Sequence, residues 1–202
     1  MAGATTYTVE YFSIDGLAWV IRALLTLAGE EYKNEFPDWP VYKEKTPFGR
    51  LPVLKETSAD GSEFVLAERC AIELYLAEKY GFLPRDSKQK AVALQYYFQL
   101  VDVFDTLVMY IFHITTDVSK DRYLDRLRTF IQRHEPILAQ SKSGYYCGDS
   151  LTLPDICLYF LYKSVFAAED QSLNWFVTEQ TPAIAKLVSM IEENTNIKKA
   201  FL

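Results

Sequence analysis

The stretch LPVLKETSADGSEFVLAERCAIELYLAEKYG, residues 51–81, decides the fold of this chain. LPVLKE and EFVLAE alternate apolar and polar residues and predict two strands. The polar connection TSADGS between them contains Asp60-Gly61, a strong turn signal. Residues 70–80, CAIELYLAEKY, show the apolar spacing of a helix, which Gly81 is expected to end. The stretch therefore predicts a ββα unit.

Upstream of this unit, the sequence predicts a βαβ unit. Residues 7–12, YTVEYF, alternate and are rich in aromatic and β-branched side chains, which favours a strand. In the helix that follows, Asp15 is the expected N-cap and Gly29 the expected left-handed C-cap. Residues 30–36 form a weaker strand candidate, and the three prolines within residues 37–49 exclude a long helix there. The order βαβ then ββα is thioredoxin-like, although order alone also fits several small α/β folds.

After the linker FLPRDSK, the strand signals disappear and amphipathic helices take over. The predicted helices lie near residues 87–116, 119–140, 153–169 and 182–194. TLPD, beginning at Thr152, predicts a capping box in which Asp155 reaches back to the helix start. We therefore predict two domains, an α+β domain at residues 1–82 and an all-helical domain at residues 87–202.

The composition and charge of the chain argue against several classes of function. The 202 residues are half hydrophobic and carry a formal net charge of -6, with a pI near 5.0. An acidic surface repels nucleic acids and anionic membranes, so neither is an expected partner. The start of the sequence has no secretory signal pattern, and no apolar run has the length of a membrane span. Three scattered cysteines without CxxC spacing and only two histidines indicate a cytoplasmic protein with no metal site.

Four segments together resemble the cytosolic glutathione transferases, most closely the sigma class: YTVEYF, DWPVYKEKTPFGRLPVL, ERCAIELYLAEKYG and GDSLTLPDICLY. The resemblance spans nearly the whole chain. It implies the glutathione-transferase fold, with an α+β thioredoxin-like N-terminal domain that binds glutathione and an all-α C-terminal domain that forms the hydrophobic substrate side. It also implies a cytoplasmic homodimer that uses glutathione as cosubstrate in detoxification.

The resemblance implies that Tyr11 is the catalytic residue. In this family a tyrosine at the end of the first strand donates a hydrogen bond to the glutathione sulfur. Such a bond stabilises the thiolate over the thiol, so more of the nucleophile is present at neutral pH. From the residues alone, Tyr11 is also one of fourteen tyrosines and could be an aromatic residue that merely suits a strand.

Five further residues resemble the family's contacts to the glutathione backbone and glycyl end: Trp39, Lys43, Arg50, Leu51 and Pro52. Pro52 corresponds to a cis proline that exposes the backbone of the preceding Leu51, which can then pair with the tripeptide as an added strand would. The alternative for Pro52 is an ordinary trans proline at a strand start. Trp39, Lys43 and Arg50 supply a donor and cations for a carboxylate, and each could instead be a surface residue.

Glu68 and Arg69, at the start of the second predicted helix, correspond to the γ-glutamyl contacts. A helix N-terminus favours an anion, and Glu68 can bind the α-amino group. The family usually has serine where this chain has Arg69, which could grip the carboxylate more strongly or fill the pocket. The sigma pattern also has arginines near Asp15 and Leu17. Because one is acidic here and the other apolar, we expect a reduced positive potential at the sulfur.

Three functions remain to be distinguished. The first is an enzyme that uses the glutathione thiol to attack small apolar electrophiles. The second is a non-catalytic member of the family with a structural, storage or protein-interaction role, which the replacements at Asp15, Leu17 and Arg69 motivate. The third, a dithiol oxidoreductase, is disfavoured because the turn FSIDG after the first strand contains no cysteine.

Overall fold

The computed structural model describes residues 5–176 and 179–202, and within these the backbone but not the side chain of residue 194. The chain divides into two compact units. The first takes the residues up to Tyr80 together with Thr195–Leu202, and the second takes Gly81–Asn194.

The first unit contains a four-stranded sheet with order β2-β1-β3-β4. The strands are β1 (Thr6–Glu10), β2 (Tyr32–Glu35), β3 (Val53–Thr57) and β4 (Glu63–Ala67), and the helices are α1 (Trp19–Ala28) and α2 (Arg69–Lys79). β1 is parallel to β2 and antiparallel to β3, and β3 is antiparallel to β4. This is the thioredoxin-like arrangement predicted from the sequence.

The two faces of the sheet differ in the contacts that their side chains make: one packs apolar side chains, and the other carries a buried carboxylate with polar partners. Val9 and Leu54 pair across β1 and β3 and are almost fully buried, as the alternation of these strands requires. On the other face, the carboxylate of Glu10 accepts a hydrogen bond from the hydroxyl of Tyr42 at 2.7 Å and pairs with Lys55 at 2.5 Å. These polar contacts fix the 3-10 helix Val41–Lys45 against the strand that precedes the candidate site.

α1 begins differently from the prediction. A 3-10 helix at Gly16–Ala18 precedes it, and Gly29 ends it with φ of 77°, as predicted. The predicted N-cap role of Asp15 is wrong, because its side chain makes no capping hydrogen bond. Asp15 already has helical φ and ψ of -66° and -64°, whereas a capping side chain needs extended backbone.

The second unit consists of helices, α3 (Ser87–Phe112), α4 (Asp117–Gln140), α5 (Leu153–Phe166) and α6 (Pro182–Asn194). α3 ends four residues before the predicted position because Thr116 caps α4, where it exchanges hydrogen bonds with Ser119. The predicted capping box at the start of α5 is confirmed. The Asp155 carboxylate accepts the N–H of Thr152 at 2.8 Å and its hydroxyl at 2.5 Å.

The last residues of the chain group with the first unit, whereas the predicted boundaries assign all of residues 87–202 to the helical domain. Ile197 and Ala200, on a 3-10 helix, are buried. The ring of Phe201 lies 4.9 Å from that of Trp19 on α1. Burial of these apolar side chains against α1 is the physical reason for the grouping.

Candidate functional site

The strand register brings three predicted site segments to one edge of the sheet. Glu10 pairs with Val53, and Val53 pairs with Ala67. Tyr11 directly follows Glu10, Pro52 directly precedes Val53, and Glu68 directly follows Ala67. The end of β1, the start of β3 and the end of β4 therefore lie side by side, although their residues are far apart in sequence.

Tyr11 is held at both its backbone and its side chain. Its N–H donates to the carbonyl of Glu35 at 3.1 Å, which extends the pairing of β1 with β2 by one residue. Its side chain is buried, and its hydroxyl oxygen accepts the N–H of Leu17 at 3.2 Å. Gly16 has φ of +40°, and a Cβ at this position would lie 2.9 Å from the hydroxyl oxygen. Only glycine allows the turn to approach the phenol so closely.

The environment of Tyr11 keeps the phenol protonated. Burial raises the pKa of Tyr11 above its ordinary value, because desolvation disfavours the phenolate. The hydrogen bond from Leu17 and the positive charges of Arg69 and Arg22 act in the opposite direction. Since the Leu17 N–H already occupies the oxygen as an acceptor, the O–H can donate to another group.

An aromatic row connects Tyr11 with Trp39. The ring of Phe12 makes edge-to-face contacts with Tyr11 at 5.3 Å and with Trp39 at 5.8 Å between centroids. Phe12 is 39% exposed and Trp39 is half-buried, so the row runs from the buried phenol to the surface. The structure thus brings the predicted indole contact into the neighbourhood of the predicted catalytic residue.

The segment around Pro52 has the predicted backbone geometry. The Leu51–Pro52 peptide bond is cis, as predicted, and the Trp39–Pro40 bond is cis as well. Pro52 is buried and Leu51 half-buried. Arg50, which immediately precedes them, is exposed.

Lys43 lies against the same turn. Its side chain packs over Gly49, where an added Cβ would lie 3.3 Å from the lysine Cε and 3.6 Å from its Cγ. The backbone carbonyl of Lys43 accepts the hydroxyl of Thr46 at 2.8 Å, which fixes the end of the 3-10 helix. Lys43 and Arg50 therefore flank Gly49 as two exposed cations.

Glu68 has an unusual backbone. Its φ of 71° is the one positive value found for a residue other than glycine within residues 5–176 and 179–202. It is exposed and immediately precedes α2, with ψ of 113°. A side chain held in this region is strained by about 1–3 kcal/mol, and such strain concentrates at binding sites.

Arg69 is turned inward. As the first residue of α2, it has a side chain only 12% exposed, and its Nε lies 3.9 Å from the carboxylate of Glu73, which is 2% exposed. Its charge acts on the phenol of Tyr11. The guanidinium therefore lies within electrostatic reach of the hydroxyl instead of extending into solvent.

The turn that holds the phenol was not predicted from the sequence. Leu17 acts through its backbone N–H, and Gly16 through its missing side chain, so neither role depends on the type of side chain that a motif search detects. The Asp15-Gly16 pair is a turn signal that could have indicated the turn. Arg22, which was not singled out, is a fully buried arginine whose Nη2 contacts the carbonyls of Ile14 and Asp15 at 3.0 Å.

Neither a membrane-spanning helix nor a metal-binding group is found in the described ranges. No helix in residues 5–176 or 179–202 combines the length and apolar character needed to cross a membrane. In the same part of the chain, no three histidine, cysteine or acidic side chains are grouped so that they could hold a metal ion.

Two family models match the chain. The glutathione S-transferase N-terminal domain matches residues 7–78, and the glutathione S-transferase C-terminal domain matches residues 101–201. The probable glutathione S-transferase 7 of Caenorhabditis elegans is 30% identical over 203 residues, covering 96% of this chain and 94% of the relative. The chain thus belongs to the glutathione S-transferase family.

Solved structures agree with this assignment. The monomeric Na-GST-3 of Necator americanus has a TM-score of 0.77 and 29% identity, and covers 96% of this chain and 95% of its own. A Nu-class glutathione transferase of Haemonchus contortus has a TM-score of 0.78 and 27% identity, with the same coverage. These proteins are named as transferases, so the non-catalytic alternative is not favoured.

Proposed function

We propose that this chain binds glutathione at the edge formed by Tyr11, Pro52 and Glu68 and activates its thiol for attack on small apolar electrophiles. The observation that carries the proposal is the Tyr11 hydroxyl, whose oxygen accepts the Leu17 N–H at 3.2 Å while its proton remains available. A protonated, oriented phenol next to the bound sulfur stabilises the thiolate, which is the nucleophile.

The tripeptide would run across the three neighbouring strand ends. The backbone of Leu51 is the expected partner of the cysteinyl residue, as in strand addition. Trp39, Lys43 and Arg50 would bind the glycyl carboxylate, because Lys43 and Arg50 are exposed cations beside Gly49. Each of these roles is supported by position and charge.

At the other end, the start of α2 would bind the γ-glutamyl group. The N–H groups at a helix start favour a carboxylate, and the charge of Arg69 adds to this preference. Glu68 would bind the α-ammonium group from an exposed position. We propose that Arg69 replaces the usual serine as a carboxylate partner, which makes the site atypical for the family.

The helical unit would supply the hydrophobic substrate side, as in the family. We also propose a sigma-like site pattern, a cytoplasmic location and a detoxification role. The three cysteines are not joined in disulfides, which suits a reducing compartment. A homodimer is supported by large exposed apolar side chains of the first unit, namely Phe48 at 68%, Phe64 at 45% and Val65 at 40% exposure.

Calorimetric titration with glutathione and a Tyr11→Phe variant test the proposal together. We expect the wild type to bind glutathione and to conjugate a chromogenic electrophile. Tyr11→Phe should keep glutathione affinity within about threefold but lower kcat/KM by about 100-fold, because the sulfur loses its donor while the contacts to the rest of the tripeptide remain. Tyr75→Phe, which removes a hydroxyl bonded to Glu56 on the same unit, is the matched control and should keep full activity. Absence of binding, or unchanged conjugation by Tyr11→Phe, would refute the proposal.

A further inference from the structure

Asp15 joins three parts of the first unit that are distant in sequence. Its Oδ1 lies 3.1 Å from Nη2 of Arg22 and accepts the backbone N–H of Leu202, also at 3.1 Å. The same Nη2 contacts the carbonyls of Ile14 and Asp15 at 3.0 Å. The carboxylate thus links the end of the described chain, helix α1 and the turn after β1.

This link stands directly behind the turn that holds the phenol. Asp15 immediately precedes the 3-10 helix Gly16–Ala18, and its carbonyl accepts the N–H of Ala18 at 3.2 Å. The N–H of Leu17, in the middle of this helix, donates to the Tyr11 hydroxyl. Asp15 is therefore only two residues from the backbone donor that contacts the phenol.

Packing around Arg22 and Phe201 supports the hydrogen bonds made by Asp15. Arg22 is fully buried, and its Nε and Nη1 have no hydrogen-bond partner in the described part of the chain, so Asp15 is its principal countercharge. The ring of Phe201, the residue before Leu202, contacts that of Trp19 at 4.9 Å between centroids, with the two planes tilted by 45°. The hydrogen bond from Leu202 to Asp15 consequently joins two groups that are each already fixed.

We propose that Asp15 is a positioning residue, which uses the hydrogen bond from Leu202 to hold the turn 14–17 so that Leu17 engages Tyr11. The phenol O–H then faces the thiol of glutathione. This inference rests on the proposed function and extends it, because it assigns a role to a position at which the chain departs from the sigma pattern. Asp15 does not provide the positive charge of a sigma-class arginine, but instead holds the turn in position.

The direction in which the thiol pKa of bound glutathione shifts distinguishes a positioning role of Asp15 from a purely electrostatic one. A negative charge near the sulfur disfavours the thiolate, so loss of the Asp15 charge alone would lower the thiol pKa of bound glutathione. Loss of the turn geometry would raise that pKa, because the phenol would no longer donate a well-aligned hydrogen bond. A purely structural role would lower thermal stability and leave the thiol pKa unchanged.

Leu202→Pro is the sharpest test because proline has no N–H, so one donor is removed. The side chain of Leu202 is 55% exposed, and Phe201 has φ of -73° and ψ of 146°, which suits a residue before proline. Leu202→Ala keeps the donor and is the matched control. We expect faster hydrogen exchange of the Leu17 amide in Leu202→Pro than in Leu202→Ala, a measurement that requires no glutathione.

The second measurement is the ultraviolet absorbance of the bound thiolate as a function of pH. We expect the thiol pKa to rise by about half a unit in Leu202→Pro and by about one unit in Asp15→Ala, with Asp15→Asn, which keeps an acceptor oxygen, closer to wild type. The midpoint of the pH profile of kcat/KM should shift in the same direction, while glutathione affinity changes little.

Equal exchange of the Leu17 amide in the two Leu202 variants overturns the inference, whether or not glutathione binds. Altered exchange with an unchanged or lowered thiol pKa also overturns it, because the link would then not serve the chemistry. A wild type that shows no glutathione binding refutes the proposed function, and the two failures are therefore distinguishable.

Discussion

The two ends of the candidate site are constructed differently. At the sulfur end, Tyr11 is surrounded by hydrogen bonds within one short turn, from Leu17 to the phenol and from Arg22 to the backbone of Asp15. At the γ-glutamyl end, Glu68 has a strained backbone and Arg69 is turned toward Glu73. At the first end, hydrogen bonds fix the position of the phenol. At the second end, the main features are the charge of Arg69 and the strained backbone of Glu68.

Departures from a family pattern at the two ends therefore need not have the same meaning. By its resemblance to the sigma class, Asp15 is proposed to lie near the position of a cation, and in this structure it contributes to the hydrogen bonds that hold the turn. Arg69 is proposed to replace a small hydroxyl side chain of the family, and this change would alter the charge of the proposed binding surface. Substitutions at the sulfur end should therefore affect turnover, and those at the γ-glutamyl end should affect affinity.

Gly16→Ala should have the largest effect. The new Cβ would lie 2.9 Å from the Tyr11 oxygen, at a φ of +40° that alanine rarely adopts, so the phenol must move. We expect kcat/KM to fall by about 100-fold with glutathione affinity preserved, as measured by steady-state kinetics and calorimetry. Gly61→Ala is the matched control, because Gly61 has φ of +84° but nothing within 4 Å of an added Cβ. Equal losses in both variants would contradict a specific role for the close approach.

A buried histidine of the second unit, His134, should make stability pH-dependent independently of the candidate site. Burial lowers the pKa of His134 to about 4, so the folded state binds its proton less readily than the unfolded state, whose pKa is 6.5. The contribution to stability is present above pH 6.5 and is lost as the pH falls toward 4. We expect the His134 contribution to fall by about 2 kcal/mol between pH 7 and pH 5, measured as the difference in urea unfolding free energy between wild type and a His134→Gln variant.

His134→Gln is the control for that measurement. The difference in unfolding free energy between wild type and variant should shrink as the pH falls, because only the wild type carries the titrating imidazole. Burial raises the pKa of Asp155 to about 6, but Asp155 titrates in both proteins and cancels in the difference. A difference that stays constant between pH 7 and pH 5 would exclude His134 as the cause.

Arg69→Ser restores the residue usual in the family and tests the charged end of the site. If Arg69 binds the γ-glutamyl carboxylate, glutathione affinity should fall by about tenfold in calorimetry, the loss of one charge-assisted hydrogen bond. Tighter binding would show instead that the side chain fills the pocket. Arg126→Ser, which removes a half-exposed arginine paired with Asp102 in the helical unit, should leave affinity unchanged.

Glu68→Gly should have the smallest effect and should separate stability from affinity. Glycine accepts φ of 71° without strain, so we expect the unfolding free energy to rise by about 1 kcal/mol, after the greater flexibility of glycine in the unfolded chain is included. Glutathione affinity should fall because the carboxylate for the α-ammonium group is lost. Urea unfolding and calorimetry on the same preparation measure both. A variant that is less stable than wild type would contradict the assignment of strain.

Most of the fold could be predicted from the sequence because the patterns were local. Alternation indicated the strands, Gly29 marked the end of α1, and TLPD marked the start of α5. The grouping of residues 195–202 with the first unit could not be predicted, since it depends on a contact between Phe201 and Trp19 that no local pattern encodes.

In the candidate site, too, some features could be predicted from the sequence and others could not. The resemblance indicated the side chains and the cis bond at Pro52. The Leu17 N–H, the close approach of Gly16 and the link through Asp15 were not predicted, because they depend on backbone groups and on hydrogen bonds across 187 residues of sequence. Sequence patterns report side-chain chemistry far better than they report the positions of backbone donors.

The main chain and the side chain of Tyr11 are anchored by separate segments. Its N–H belongs to the pairing with β2, through Glu35, and its oxygen belongs to the turn at Leu17. The ring can therefore be replaced by fluorinated tyrosines of graded acidity without removing the backbone anchor. Such a series would relate the acidity of one phenol to thiolate formation while the sheet beneath it remains unchanged.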